Sequence, residues 1–462
     1  MLVRFSVENF LSYDKKQTFS MIAGHTKNHP EHLYEIEKVN LLKLSAIYGA
    51  NASGKSKMFE AMRFASHVIK SGIPFSAAGM FCKLTEENRI SPSLFEFEFY
   101  IDGSFYAYGF SAVLSAKKLT AEWLYKLNPG EDKQEFIYER EFDCIEGSYG
   151  LNINRDVLSL SDEEEKLLDF LSGFMDDERV LFLNTINKSS KAIKSSSLRY
   201  FADAYKFFTA NLEFIMPDTV IQSFEGFESL EDGEDSFKKF IEIINSFDTG
   251  IVDIRNEHLQ IDELEKKLPA AAYQALITGL DEQRNNPAVE SLSATYSGIG
   301  GWYRIEQNND EDQLDVTTVT LRHKNSIYDF GFSDESDGTQ KIFDLLRVIM
   351  QSRDGGVYII DELERSLHPM VTQRLIELFI ELTRGKRTQL IFTTHESSIM
   401  SQDIFRRDEI WFVEKSPENT SVIYSLDKFS ERYDRKIDKA YLEGRYGAIP
   451  ILTGMRYKDG DE

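Results

Sequence analysis

The sequence predicts an α/β fold whose core is split between the two ends of the chain. Three observations predict it. Gly49-Ala50-Asn51-Ala52-Ser53-Gly54-Lys55-Ser56 follows the apolar run Leu44–Tyr48 and precedes residues spaced for a helix. Val357–Ile360 is a second apolar run; it ends in Asp361-Glu362, more than 300 residues after Lys55. Between them lies 94–127, rich in Phe and Tyr, where Glu96-Phe97-Glu98-Phe99 alternates strictly, as antiparallel strands do.

Met1–Ser6 reads as a strand start; it lacks the apolar core and small-residue cleavage site of a secretion signal. Residues 1–60 suit strand, turn, strand, glycine-rich loop and helix. The helix is expected over 57–70, with Met58, Met62, Ala65 and Ile69 on one face. Gly103 marks a hairpin turn within the meander, which 135–142 extends. Ser161 then opens a helix with acids in its first turn. Segments 162–175, 197–213, 236–247 and 262–283 have helical composition, separated by acidic turns such as 225–235. Strand-rich sequence resumes over 289–332, and 333–427 alternates helix and strand. The expected division is therefore an N-terminal half of the core with its meander (1–157), an inserted helical subdomain (158–288) and a C-terminal half (289–462).

Composition narrows the function classes. A chain of 462 residues has room for two or three domains. No run approaches 18 apolar residues, so neither a transmembrane helix nor a membrane partner is expected. Cys82 and Cys144 offer no disulfide framework and no metal cluster, which suits a reducing cytoplasm. The net charge of −24 disfavours a nucleic-acid-coated surface, because phosphate affinity comes largely from Lys and Arg; a local basic groove in a dimer stays open.

The motifs carry specific chemistry. Gly49 and Gly54 let backbone approach phosphate, and the amides of Asn51, Ala52, Ser53 and the helix start suit an anion. Lys55 would reach the β- and γ-phosphates, and Ser56 would coordinate Mg²⁺. Asp361 would hold the same ion through water, and Glu362 is placed to polarise an attacking water. Arg387–His395 reads as a further buried strand with a polar end. His395 would contact the γ-phosphate or that water, although a lone His after a strand is more often structural. Ser336 and Gly338 would open a helix through Met350, with Ile342, Leu345, Leu346 and Ile349 on its apolar face.

With these pieces the chain resembles the ATP-binding cassette ATPases of the SMC, RecF and OLD kind, especially the RloA-like and AbiL-like ATPases of bacterial restriction and abortive-infection operons. The resemblance covers nearly the whole chain. Val7–Ser12 matches the opening strand and turn, and Asp361–Pro369 matches the Walker B and D-loop segment. Tyr441–Pro450 resembles a tail of the defence-operon branch, either a C-terminal cap or a partner surface. Ser336-Asp337-Gly338-Thr339-Gln340 matches the signature, departing from S-G-G-x-Q at Asp337.

The resemblance implies a split ABC-type P-loop ATPase head using ATP and Mg²⁺. Ser336, Gly338 and Thr339 would serve the nucleotide of a second protomer, so ATP would join heads into a homodimer or higher homo-oligomer. It also places Ser12 and Tyr13 near the adenine; no Q-loop is assigned. The 67 residues after His395 show no toprim set. The implied function is control of a separate effector, such as a nuclease, in anti-phage defence. The alternatives are a RecF- or SMC-like DNA repair or recombination ATPase, with DNA as a partner that the charge disfavours, and a slow nucleotide-gated scaffold.

Overall fold

The computed structural model describes residues 1–129, 134–143, 147–173, 177–216, 234–284, 292–298, 301–307, 314–429 and 436–450. Cys144 and 225–233 of the acidic turn lie outside them. The chain divides into two compact units. One comprises Met1–Met216, Ser352–Glu364 and Phe379–Glu462, and the other Pro217–Gln351 and Arg365–Leu378.

In the first unit, the described residues form a six-stranded sheet. Its order is Leu212–Ile215, Val357–Ile360, Gln389–Thr393, Leu44–Tyr48, Ile410–Lys415, Ser421–Ser425. All neighbours run parallel except the last pair. Leu44–Tyr48, Val357–Ile360 and Gln389–Thr393 are buried at every position. A parallel sheet covered on both faces selects such unbroken runs, which is why these strands were legible. The strand before the glycine-rich loop lies between two strands contributed by residues 389–415. The two chain ends therefore build one core, as expected.

A seven-stranded antiparallel sheet belongs to the same unit, in the order Ser148–Ile153, Gln134–Asp143, Lys118–Leu127, Ser104–Val113, Ser93–Ile101, Leu2–Glu8, Gln17–Ser20. Ser93–Ile101 alternates buried and half-buried residues along its length. Phe95 packs on Phe64 of the helix Lys55–Ser71, and Phe99 stacks on Phe207 with ring centroids 4.3 Å apart. The buried carboxylate of Glu122 accepts from the Tyr108 and Tyr138 hydroxyls and from the amides of Phe182 and Leu183, fastening the meander to Phe182–Asn187.

Gln389 ties the two sheets. Its side chain accepts from Leu2 N (2.6 Å) and donates to Leu2 O (3.0 Å) and Leu42 O (2.9 Å), all buried. Gln389→Leu would leave these backbone groups unpaired, at about 1–3 kcal/mol for each group not rescued by water. Urea unfolding should show the loss; a midpoint within error of the parent would show the bonds to be dispensable.

The expected helical block, 158–288, needs correction. Its capped helix is present as Asp162–Ser172, with Ser161 and Glu164 forming a reciprocal cap. The 197–213 segment, however, is helical only over Arg199–Lys206. It widens over Phe207–Asn211, where both phenylalanines bury, and becomes the strand Leu212–Ile215 beside Val357–Ile360. Pairing with a buried strand overrides local helical preference here. The first unit thus runs to Met216 rather than ending at 157.

The block also contains the strand Ile251–Leu259, which opens the antiparallel sheet of the second unit, in the order 251–259, 314–323, 301–307, 293–298, with the short strand Phe330–Gly331 beside 314–323. The 262–283 helix is two helices, Ile261–Lys267 and Ala270–Arg284, interrupted at Pro269, which lacks the amide a continuing helix needs. Asp337–Met350 also belongs to this unit, so the helix after Ser336 does not group with the strand Val357–Ile360.

Tyr441–Pro450 packs as a cap. Tyr441 and Tyr446 stack on Phe412, the Tyr424 hydroxyl donates to Tyr446 O (2.7 Å), and Ala448 N donates to Glu414 (2.9 Å). No helix among the described residues is long and apolar enough to cross a membrane.

Candidate nucleotide-binding site

Leu44–Tyr48 delivers the chain to the loop Gly49–Gly54, and the helix Lys55–Ser71 begins directly after it. The helix starts two residues earlier than its apolar spacing suggests. The first-turn amides of a helix have no intrahelical partners, so this end favours an anion. Asn51 and Ala52 are exposed at the loop crown, with Ala52 left-handed at φ 61°. Ser53, Gly54 and Lys55 are buried. Gly54 has φ 114°, and a Cβ there would lie 2.3 Å from Ser421 Oγ, so both conformation and space demand glycine.

The loop is braced from both ends of the chain. Ser421 Oγ donates to Ser53 O (2.5 Å) and lies 2.8 Å from Ser12 Oγ, while the Tyr13 hydroxyl donates to Gly54 O (2.9 Å). Tyr13 is fully buried. Its ring therefore supports the loop and is not available to stack on an adenine. Ser53 Oγ is buried without a hydrogen-bond partner among the described residues, an orphan hydroxyl inside the loop that would bind phosphate.

The sequence-predicted side chains of the phosphate site converge in this first unit. Lys55 Nζ donates to Gly49 O (2.7 Å) and Ala50 O (3.2 Å) and lies 3.4 Å from His395 Nδ1. Burial lowers the Lys55 pKa to about 8, against the opposing pull of Asp361, Glu364 and Glu362. Burial, and then the Lys55 ammonium, push the His395 pKa down. An ammonium only donates, so a neutral His395 accepts at Nδ1 and carries its proton on the other ring nitrogen.

Ser56 Oγ donates to Asp361 Oδ1 (3.1 Å). Thr393 Oγ1 donates to the same oxygen (2.5 Å) and accepts from Glu362 N (2.8 Å). Leu363 N donates to Thr393 O (3.1 Å). Glu362 is held at φ 53°, a left-handed conformation that a non-glycine residue adopts at a cost of about 1–2 kcal/mol. The chain thus turns sharply at the strand end and is pinned there. Glu364 Oε1 accepts from His395 N (2.5 Å).

Thr393 and Glu364 were missed by sequence reasoning. Thr393 was visible only as a neighbour of His395, and its bridging role depends on the register of two strands that meet only in the fold. The donor set suits Mg²⁺: a hydroxyl and a nearly buried carboxylate side by side, both oxygen ligands.

In the second unit, Ser336 caps Asp337–Met350 by accepting from Thr339 N (3.1 Å). Asp337 is exposed in the first helical turn, where the helix dipole favours an acid; the departure from the common signature thus has a favourable place. A Cβ on Gly338 would lie 2.7 Å from Ser366 O, so the backbone at Gly338 abuts the segment that follows Asp361-Glu362.

A family model described as "AAA domain, putative AbiEii toxin, Type IV TA system" matches residues 143–401, more than half of the chain. The chain belongs to this AAA-domain family. The matched region of the AAA-domain chain contains Asp361, Glu362, His395 and the Ser336 segment; the glycine-rich loop lies before it. No curated protein matches the sequence. Among solved structures, the crystal structure of an SMC head bound to the C-winged helix domain of ScpA is 14% identical, covering 96% of this chain and 99% of that one, with a TM-score of 0.43. The SMC head domain from Thermotoga maritima is 12% identical, covering 92% and 98%, with a TM-score of 0.34.

Proposed function

We propose that this AAA-domain chain hydrolyses ATP with Mg²⁺ in the cytoplasm and that ATP-dependent pairing of two copies controls a separate effector, such as a nuclease, in anti-phage defence. The observation that carries the ATPase reading is the bond chain Ser56–Asp361–Thr393–Glu362. It sets two oxygen ligands beside the backbone that presents the Glu362 carboxylate. Lys55 would neutralise the β- and γ-phosphates. Ser56 and Asp361 would hold Mg²⁺, which supplies charge neutralisation at the transferred phosphoryl group. Glu362 would take the proton of the attacking water. A neutral His395 would donate from its free ring edge to the γ-phosphate.

Pairing rests on the signature segment. Ser336, Gly338 and Thr339 sit at the start of a 14-residue helix, with Ser336 exposed, and would serve the nucleotide of a second copy. The defence assignment draws on the description of the family, which names a toxin and a toxin–antitoxin system. The acidic net charge speaks against DNA as the direct substrate.

Ser336→Arg separates these steps. It is expected to leave ATP binding at the glycine-rich loop within about twofold and to cut hydrolysis at least about a hundredfold, the scale seen when a transition-state donor is lost. A binding titration and a phosphate-release assay read the two quantities. Unimpaired turnover would remove the signature assignment. Hydrolysis stimulated by DNA ends, with no protein recovered from the native host on ATP-loaded bait, would remove the effector reading.

A further inference from the structure

A second constellation of polar side chains lies away from the phosphate-binding residues. His29, Glu31 and His32 occupy a short turn in the first unit, and one ligand atom from each lies within 4.8 Å of the others. Glu31 Oε1 is 3.1 Å from His29 Nδ1 and 3.9 Å from His32 Nε2. The two imidazoles stack, with centroids 4.8 Å apart and planes at 25°, which brings one nitrogen of each ring to the same carboxylate oxygen.

The opposite ring edges are held by outer partners. His29 Nε2 is 2.7 Å from Gln402 O, a carbonyl that can only accept, so this nitrogen carries a proton. His32 Nδ1 faces both oxygens of the fully buried Glu409 at 2.9 and 3.1 Å and donates to that carboxylate. With these outer nitrogens engaged, His29 Nδ1 and His32 Nε2 are the ring atoms that face Glu31. Two ring nitrogens and one carboxylate oxygen, all within 4.8 Å of one another, offer a cation three ligand atoms.

We infer that His29 Nδ1, Glu31 Oε1 and His32 Nε2 form a binding site for a divalent transition metal ion of the zinc class, distinct from the magnesium ligands Ser56 and Asp361. Two imidazoles and one carboxylate are a donor set that Zn²⁺ accepts, with a fourth position open to water. Gln402 O and Glu409 supply the outer hydrogen bonds that orient metal-binding histidines. The frame exists independently of the ion. The buried Arg406 guanidinium donates to Thr26 O (2.8 Å) and Asn28 O (2.7 Å) and pairs with Asp408 (2.8 Å), which holds the loop leading to His29 against 402–409. A bound ion would cross-link the same two segments just ahead of the strand Ile410–Lys415, a neighbour of the strand that carries the phosphate loop.

The test is zinc retained by the full chain after dialysis in metal-free buffer with excess Mg²⁺, measured by elemental analysis. Cobalt substitution, read as visible ligand-field bands, reports the ligands. One equivalent of zinc is expected in the parent and equally in Asp361→Asn, which impairs the magnesium site. His29→Ala and Glu31→Gln, both at partly exposed positions, are expected to weaken zinc binding at least about a hundredfold, beyond the loss typical of an outer-shell change. Zinc should raise the Tm of the parent but not of the double variant. No stoichiometric zinc in the parent, or equal zinc in the folded double variant, would overturn the assignment, as would loss of zinc in Asp361→Asn alone.

Discussion

Glu362→Gln is expected to bind ATP at near-parent affinity, to hydrolyse it about a hundred- to ten-thousandfold more slowly, the usual contribution of a positioned base, and to accumulate an ATP-bound dimer. The amide is nearly isosteric with the carboxylate but cannot take a proton. The backbone that presents it is fixed independently, since Glu362 N donates to Thr393 Oγ1 and Leu363 N to Thr393 O. Ser56 and Asp361 are untouched, so metal and nucleotide binding should survive. Phosphate release measures the rate, and light scattering with ATP and Mg²⁺ measures the mass. Parent-like turnover would exclude Glu362 as the base. Slow turnover with neither a change in mass nor a rearranged oligomer would leave the ATPase intact and end the paired-head model.

Lys55→Ala is expected to remove ATP binding at working concentrations. Truncating one partner of a buried charge pair costs about 2–5 kcal/mol, roughly thirtyfold to several thousandfold in affinity. Lys55 is nearly buried, and its ammonium also donates to Gly49 O and Ala50 O, so part of the loss would come from the loop itself. Comparing thermal unfolding of the variant and parent without nucleotide separates the two contributions. Retained tight ATP affinity in a folded variant would exclude the phosphate-loop assignment.

How much of this was legible depended on whether a residue's environment is local. The strands Leu44–Tyr48 and Val357–Ile360 announce themselves because strands buried on both faces carry unbroken apolar runs. The phosphate loop and Asp361-Glu362 have fixed spacing, and the fold sets them within hydrogen-bond reach. Ile251–Leu259 stayed hidden because most of its middle is exposed, leaving no alternation to detect. Leu212–Ile215 stayed hidden because four residues continue a helical segment without a turn signal, and only a strand about 145 residues later makes them extended. Tyr13 was expected near the adenine, and it is near the loop, but its burial gives it a bracing task that sequence could not distinguish from base contact. The tail Tyr441–Pro450 left cap and partner surface open; its Tyr441 and Tyr446 rings pack on Phe412, as a cap does.

The brace around the phosphate loop bears on how the protein is made. The motif leaves the ribosome more than 300 residues ahead of residues 389–421, which supply the strands on both sides of Leu44–Tyr48 and the hydroxyl that holds Ser53. A growing chain therefore carries the nucleotide motif long before it can carry the nucleotide pocket. A chain interrupted before Ser421 has the loop sequence without the strands and the hydroxyl that hold its shape.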